Sequence, residues 1–312
     1  MENLIISLNV VLPLFLLIAL GYGLKKIRMY DTSTLKTMNK LVFKVFLPVY
    51  LFYSIYSKDL SAAFDLKVIL FAIVSLLIWF LFLMLWIPRF EKENAKRGVM
   101  IQAMFRSNFA LFGLPVAISL CGEDKIGTTS LLLGIVVPIY NVLAVITLEF
   151  FRGGKPSAKK ILIGIAKNPL IIASVLGVVV YLLKIEIPYA IEKTIIDVGK
   201  IATPLALIAL GGEFTFSKVK GDLKQLVVSV VGKLVICPLF IVTGAILLGF
   251  RNEVLVPILL MAGAPTAVSS YTMAQQMGGD GELAGEVVVF TTGISIFTIF
   301  VWVFVLKQLN LL

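Results

Sequence analysis

The sequence predicts an all-α polytopic membrane protein with ten transmembrane helices, arranged as two inverted five-helix repeats in which helices 4 and 9 are broken. Three observations lead to this prediction. Of the 312 residues, 59% are hydrophobic, a share typical of membrane proteins rather than soluble domains. Apolar runs of about 20 residues, the length that crosses ~30 Å of hydrocarbon as a helix, alternate with short polar loops. Prolines and glycines also recur at equivalent places in the two halves of the chain.

The apolar runs define the predicted spans. They cover residues 5–24, 36–56, 66–87, 98–120, 127–151, 162–183, 191–213, 224–249, 254–277 and 286–307. Short polar loops separate them.

Basic residues predict the orientation in the membrane. They cluster in the loops after the first, third, fifth and seventh spans, as Lys25, Lys26, Arg28, Arg89, Lys92, Lys96, Arg97, Arg152, Lys155, Lys159, Lys160, Lys218, Lys220 and Lys224. By the positive-inside rule these four loops are cytoplasmic. We therefore expect a multi-pass protein of the cell inner (plasma) membrane with both termini extracytoplasmic, although the acidic loop at residues 278–280 breaks the pattern.

An internal repeat divides the chain into residues 1–156 and 157–312. A shift of half the length aligns Gly21 with Gly177, and it also aligns two pairs of prolines, of which Pro48 and Pro204 are one. Such coincidences indicate duplication of a five-helix unit. Since five is odd, the second copy enters the membrane from the opposite side, which is the inverted repeat common in secondary transporters.

Two of the predicted spans contain helix breakers near the middle of the membrane. The fourth holds Asn108–Pro115, with Asn108 ~15 Å deep at 1.5 Å per residue, and the ninth holds Gly263–Thr266 at a similar depth. Lipid cannot satisfy a freed backbone, so helices break there only beside a cavity. Paired breaks would direct amides and helix N-termini to one volume suited to an anion. The alternative is that both prolines are ordinary kinks.

Several function classes are excluded or disfavoured by composition. With no histidine in the chain, His-based metal sites and His general bases are absent. No phosphate-binding GxxxxGK[ST] loop occurs, and the cysteines, Cys121 and Cys237, stand alone in apolar segments. The net charge of +10 lies in loops beside spans, which fits lipid headgroups better than nucleic acid. We therefore expect neither an enzyme nor a resident metal or cofactor.

The motifs around the two breaks resemble those of a known family. The pattern Asn-x-x-x-x-Gly-x-Pro is matched by Asn108, Gly113 and Pro115 in the fourth span. The ninth span contains Ala264–Val268, followed by Gly278-Gly279-Asp280. Over essentially all ten spans the chain resembles a bacterial member of the auxin efflux carrier family.

The resemblance implies further expectations about fold and substrate. It implies a bile acid/sodium symporter-like fold with crossed helices 4 and 9, a scaffold of spans 1, 2, 6 and 7, a transport domain of spans 3–5 and 8–10, an elevator-type cycle and a homodimer. Plant carriers have a second proline in the ninth span, where this chain has Ser270. The bacterial relatives are described as malate or malonate permeases, which favours a small dicarboxylate over auxin.

Polar residues inside spans are the candidate binding residues, because a polar group in lipid must find a partner. In the fourth and fifth spans they are Asn108, with Gly113 and Pro115 shaping the break, and Tyr140 and Asn141, which follow Pro138. In the ninth they are Pro265, Thr266, Ser269, Ser270 and Tyr271. For each of them the alternative is a structural contact between helices.

Charged residues within spans add two possible partners for an anion. Lys233 lies near the middle of the eighth span and could neutralise a substrate carboxylate or replace a coupling sodium ion; alternatively it extends to the cytoplasmic face. Arg106, ~12 Å deep by helical rise, could attract anions, although extension to headgroups is favoured. Glu149, Glu213 and Glu286 lie near predicted cytoplasmic ends, where they could relay protons but are expected to be solvated.

Together these features predict a secondary active transporter of a small organic anion, driven by protons or the membrane potential. An auxin-like or other monocarboxylate exporter and a sodium-coupled symporter remain alternatives. A membrane channel or sensor on the same fold is the alternative outside the transporter class. An intramembrane enzyme lacks support, because no nucleophile has an adjacent base.

Overall fold

The computed structural model describes residues 2–57, 65–122, 125–153, 158–214 and 221–312. Within these ranges the regular structure is helical apart from one isolated β-bridge, between Ser107 and Thr266. Of the basic residues used to predict orientation, Lys155, Lys218 and Lys220 lie outside the described residues.

Thirteen helices are formed by the described residues. In chain order they are α1 (Glu2–Lys26), α2 (Thr32–Tyr56), α3 (Leu66–Phe90), α4 (Asn94–Phe105), α5 (Phe109–Cys121), α6 (Gly127–Phe151), α7 (Ala158–Ala166), α8 (Pro169–Leu182), α9 (Tyr189–Glu213), α10 (Leu223–Leu247), α11 (Asn252–Gly263), α12 (Ser269–Met277) and α13 (Gly281–Gln308).

Six of these helices, α2, α3, α6, α9, α10 and α13, are long and apolar enough to cross a membrane, and α5, α8 and α11 are shorter apolar helices. The protein is therefore an all-helical membrane protein, while the number of ten crossings stays a prediction. The fourth and ninth predicted spans are broken, into α4 and α5 and into α11 and α12.

The sixth predicted span, residues 162–183, is divided between α7 and α8. Pro169 has no N–H to donate to the preceding turn. The side chain of Asn168 instead caps α8 by accepting the N–H of Leu170 at 2.9 Å.

Three helices widen by one residue per turn shortly before a proline. The wide turns are Val42–Phe46, Phe109–Gly113 and Gly232–Ile236, and each ends two residues before a proline, Pro48, Pro115 or Pro238. A wide turn accommodates the missing N–H of proline without breaking the helix. The second of these turns begins directly after the break at Asn108.

Close packing joins α1, α2, α8 and α9 through glycines. A Cβ atom at Gly21 would lie 2.1 Å from the carbonyl oxygen of Ile208, and one at Gly177 would lie 2.9 Å from the carbonyl oxygen of Phe52. The backbones of α1 and α9, and of α2 and α8, therefore touch where only glycine fits. Small residues of this kind are a common device for helix association in membranes.

The broken helices lie among the remaining helices. The pair α4 and α5 packs against α6, and α11 packs against α10, while α13 contacts α4, α11 and α12. The residues of α11 are buried almost throughout. This arrangement surrounds the two breaks with protein, which is the condition under which non-helical backbone is tolerated inside a membrane.

Candidate functional site

The two helix breaks face each other and pair. Arg106 leaves the helical conformation at the end of α4, with φ −86° and ψ 122°. Ser107 and Thr266 form an antiparallel bridge, and the N–H of Asn108 donates to the carbonyl of Pro265 at 2.7 Å. Each break thus satisfies part of the backbone that the other one frees.

The remaining freed carbonyls of α11 accept bonds from side chains. Pro265 has no N–H, so it cannot bond to Met261 four residues earlier. The carbonyl of Met261 instead accepts from the hydroxyl of Ser107 and, at 2.8 Å, from that of Tyr140. The next carbonyl, of Ala262, accepts from the ammonium of Lys233 at 2.9 Å. Side chains from three other helices or loops therefore hold the break open.

Arg106 is buried at the crossing, with only 4% of its surface exposed, so the expectation that it reaches the headgroups is wrong. Its guanidinium donates to Asn141 Oδ1 at 2.5 Å, to Ser269 Oγ at 2.7 Å and to the sulfur of Met273. All three acceptors are neutral. In the described part of the chain no carboxylate oxygen lies within 4.0 Å of this charge.

Two carboxamides beside Arg106 have donors without acceptors. Among the described residues, neither Asn108 Nδ2 nor Asn141 Nδ2 has a hydrogen-bond partner, although both atoms are buried. Both side chains line one narrow cavity of about 50 Å³, together with Arg106, Tyr140 and Ser269. A positive charge and several unused N–H donors around one cavity are the chemistry that binds a carboxylate.

Lys233 is a second cation at the crossing. Its surface is 0% exposed, and its ammonium donates to Ser107 Oγ as well as to the Ala262 carbonyl. The alternative in which Lys233 extends to the cytoplasmic face is therefore wrong. Ser107 lines the cavity, so Lys233 stands directly behind the cavity wall, separated from it by one hydroxyl.

Other predicted residues lie near the cavity without lining it. Gly113 makes room for a neighbouring ring, since a Cβ there would lie 2.5 Å from Phe109 Cδ2. Thr266 uses its hydroxyl to satisfy the Ala103 carbonyl at 2.9 Å. The Ser270 carbonyl accepts from Gln102 at 3.1 Å. Pro115 is half-buried in the first turn beyond the wide segment of α5.

Tyr271 lies on the opposite side of α12 from the cavity. Its hydroxyl donates to Glu213 at 2.7 Å and accepts from Asn39 Nδ2 at 2.9 Å. It lines a separate, larger cavity together with Gln275. Ser269 and Tyr271, two residues apart, thus serve different sites.

The sequence analysis did not identify Ser107 or the opposite wall of the cavity. That wall consists of residues from α2 and α9, namely Leu47, Tyr50, Leu51, Ala202, Thr203 and Ala206. A signal for it was present, because the repeat aligns Pro48 with Pro204, and these prolines adjoin wall residues Leu47 and Thr203. Among the described residues no group of three His, Cys, Asp or Glu side chains could hold a metal ion.

Comparison with known proteins agrees with this architecture. The sequence model of the family described as "Membrane transport protein" matches the chain twice, over residues 6–156 and 155–303. An uncharacterized transporter of Methanocaldococcus jannaschii is 23% identical over 312 residues, covering 96% of this chain and 99% of its own length. The uncharacterized transporter YfdV of Escherichia coli is 24% identical over 313 residues, covering 96% and 97%.

A third relative carries a substrate in its name. A Rhizobium meliloti protein named "Putative malonate transporter" is 24% identical over 298 residues, covering 93% of each chain. The family model covers almost the whole chain, with one match in each half. The protein therefore belongs to the membrane transport protein family, that of the auxin efflux carriers.

Proposed function

We propose that this chain is a secondary active transporter that binds a small organic dianion, a dicarboxylate such as malonate or malate, in the cavity beside Arg106. The observation that carries the proposal is the buried guanidinium of Arg106, whose hydrogen-bond acceptors among the described residues are all neutral. A buried charge is costly unless it is paired. A substrate carboxylate would supply the missing counter-charge, and a guanidinium can bind it through two parallel hydrogen bonds.

The second cation supports a substrate with two negative charges. Arg106 and Lys233 together carry two positive charges at the crossing, without a carboxylate partner in the described part of the chain. The free amide donors of Asn108 and Asn141 add hydrogen bonds to the same volume. The name of the Rhizobium meliloti relative agrees with a three-carbon dicarboxylate.

The position of the cavity supports alternating access. One wall belongs to α2 and α9, and the other carries Arg106, Asn108 and Asn141 on and beside the breaks. The cavity volume of about 50 Å³ is well below the ~300 Å³ at the lower end of ligand pockets, so the walls must separate to admit an anion. We infer an elevator-type cycle in which spans 3–5 and 8–10 move against a scaffold of spans 1, 2, 6 and 7.

Ten crossings in two inverted repeats, residues 1–156 and 157–312, form part of the proposal. The close contact of Gly21 with Ile208 and that of Gly177 with Phe52 support it. Gly21 and Gly177 are 156 residues apart in sequence, and so are Phe52 and Ile208. A duplicated unit would repeat its contacts in this way, with each copy contacting the other.

Orientation, assembly and coupling complete the proposal. We place both termini on the extracytoplasmic side of the cell inner membrane, because the basic loops then lie in the cytoplasm. A homodimer through the scaffold spans is expected from the family resemblance. The driving force is the proton gradient or the membrane potential, since Lys233 occupies the crossing as a fixed cation.

The alternative functions predict different results in transport measurements. A monocarboxylate exporter of the auxin type would not need two cations at the crossing, and a sodium-coupled symporter would need a cation site there. A channel or sensor would show flux that does not saturate, or none. Acceleration of uptake by substrate on the opposite side of the membrane would identify a carrier, because it requires one site to be exposed alternately.

The test is uptake of radiolabelled malonate and malate into proteoliposomes under imposed pH, sodium and voltage gradients. We expect saturable uptake that is inhibited by unlabelled dicarboxylates but not by malonamide, a neutral compound of the same shape. Asn108→Ala and Arg106→Gln should each lower kcat/KM at least about tenfold, the equivalent of losing ~1.4 kcal/mol of binding. Arg89→Gln, at an exposed arginine, is the matched control and should leave uptake unchanged.

The opposite results would reject the proposal. Equal inhibition by malonamide would show that the site does not recognise negative charge. Transport that survives Arg106→Gln unchanged would remove Arg106 from the site. Absence of uptake for both acids in the wild type would reject the dicarboxylate assignment and direct the screen to monocarboxylates, including auxin-like ones.

A further inference from the structure

A second, larger cavity of about 340 Å³ lies away from the anion site. It is bounded by the ends of α1, α9 and α12 and the beginnings of α2 and α13. Its charged lining residues are Lys25, Lys36, Glu213, Glu282 and Glu286. In the proposed orientation it belongs to the cytoplasmic half of the protein.

Glu286 is the least satisfied acidic group in this cavity. The sequence predicts that it is solvated at a helix end, but only 3% of its surface is exposed. Its Oε2 atom is buried and has no hydrogen-bond partner within the described part of the chain. An ionised carboxylate that is buried without donors is costly, and binding of a proton removes the charge. Buried ionisable groups inside membrane proteins commonly mark proton pathways.

Glu213 faces the same cavity and is held by donors from α12. It accepts from the hydroxyl of Tyr271 at 2.7 Å and from the amide of Gln275. The ring of Tyr271 lies over Gly285, since a Cβ there would be 3.6 Å from Tyr271 Cδ2. Gly285 immediately precedes Glu286, so Tyr271 links the two glutamate-bearing helices.

Helix α12 connects this cavity to the anion site. Ser269 and Met273 accept hydrogen bonds from Arg106, whereas Tyr271 donates to Glu213. The helix has nine residues, so both sets of contacts are made within little more than two turns. A change of charge at the cavity and the arrival of an anion at Arg106 therefore act on one short rigid element.

We propose that Glu286 is the residue that carries the coupling proton. Its carboxylate takes up one proton from the cavity, giving the neutral acid, and releases the proton on the other side after the transport domain has moved. This inference rests on the proposed function, to which it adds the coupling ion and its binding residue.

Charge balance supports one proton for each dianion. With Glu286 neutral, the positive charges of Arg106 and Lys233 equal the two negative charges of a bound dicarboxylate. With Glu286 ionised, Arg106, Lys233, Glu286 and the bound dianion would together carry one net negative charge. Since moving a net charge through hydrocarbon is costly, protonation favours movement of the loaded form.

A metal cation is less suited to this cavity than a proton. Lys25 and Lys36 line the cavity, and their ammonium groups would repel a cation. One Glu213 oxygen is already occupied by two donors. Carboxylates from two further elements, Asp222 before α10 and Asp280 before α13, act electrostatically on Glu286, as does Glu282. One unpartnered oxygen is enough to hold a proton, whereas a metal ion needs several ligands.

The test separates proton coupling from anion binding. Malonate exchange, with malonate on both sides and no gradient, needs only the anion site. Accumulation driven by an inward pH gradient also needs the proton carrier. We expect Glu286→Gln to keep exchange within about twofold and to lower pH-driven accumulation at least about tenfold. A pH-sensitive dye inside the vesicles should report proton entry with malonate in the wild type and none in the variant.

Glu186→Gln is the control, because Glu186 is an exposed glutamate that does not line this cavity. It should retain both activities. If Glu286→Gln is not monodisperse, Glu286→Asp keeps a carboxyl group and should retain proton entry. Malonate accumulation that is undiminished in Glu286→Gln, or that requires sodium, would overturn this inference. Malonate exchange in the same vesicles would still support the anion site. A wild type without exchange would instead reject the proposed function.

Discussion

The N–H of Asn108 donates to the carbonyl of Pro265 at 2.7 Å, and this bond joins the two broken helices at their centres. Asn108 precedes α5, and Pro265 lies between α11 and α12. Neither break could be buried alone, because each exposes carbonyl and amide groups that hydrocarbon cannot satisfy. The site and the fold therefore depend on each other, and changes at the crossing should affect transport before they affect helix content.

Pro265→Ala tests whether the break in α11 is needed for transport. Alanine restores an N–H that can bond to the Met261 carbonyl and favours the helix by ~3 kcal/mol relative to proline. Ser107 and Tyr140 would then lose their common acceptor. We expect malonate uptake to fall at least about tenfold with no fall in Tm.

Pro13→Ala is the control for this substitution. Pro13 also lies inside a helix, α1, but in an exposed position remote from the breaks. It should leave uptake unchanged. Normal uptake in Pro265→Ala would mean that the broken conformation is not required by the transport cycle.

Gly21→Ala and Gly23→Ala form a pair that tests the packing of α1 against α9. A Cβ at Gly21 would meet the Ile208 carbonyl oxygen at 2.1 Å, whereas one at Gly23 would meet no atom within 4 Å. Because backbone cannot move aside cheaply, we expect Gly21→Ala to lower Tm by several degrees. Gly23→Ala should be neutral or raise Tm, since alanine favours a helix by ~1 kcal/mol over glycine. Equal Tm values for both variants would contradict the observed contact.

The breaks could be predicted from sequence, but the direction of some side chains could not. Proline and glycine at mid-membrane depth pointed to breaks at Asn108 and Pro265, although Pro138 lies inside the continuous helix α6. For Arg106 the sequence leaves open attraction of anions and extension to the headgroups, and it favours the headgroups. Helical rise gives the depth of a residue but not the direction of its side chain, and the guanidinium of Arg106 points to Asn141, Ser269 and Met273.

The sequence names both Ser269 and Tyr271 as candidate binding residues, but the two line different cavities. Ser269 and Tyr271 are two positions apart, and two positions correspond to about 200° of rotation around a helix. The two side chains therefore face nearly opposite sides of α12. The sequence marks both as polar but does not say how the helix is rotated. Glu286 shows the same limit, because the neighbouring Gly285 packs against Leu210 of α9 and Tyr271 of α12, and the sequence of α13 alone does not reveal these contacts.

Sodium should not be required for transport. Lys233 already donates to Ser107 Oγ and the Ala262 carbonyl, two oxygens that could otherwise bind a cation. We expect malonate uptake to be the same when sodium is replaced by potassium or by N-methylglucamine at fixed pH and voltage. A hyperbolic dependence on sodium would show that a cation site exists elsewhere.

Lys233→Met should lower affinity for dianions more than for monoanions. The variant removes the second buried charge and leaves the Ala262 carbonyl without its donor, at a cost of ~1–3 kcal/mol. Malonate and its monoamide have similar shapes but differ by one negative charge. We expect the KM for malonate to rise at least about tenfold while inhibition by the monoamide changes by less than about threefold. Lys40→Met, at an exposed lysine on α2, is the control. Equal losses for both compounds would indicate that Lys233 only maintains the fold of the crossing, and a lower Tm without any change in KM would point the same way.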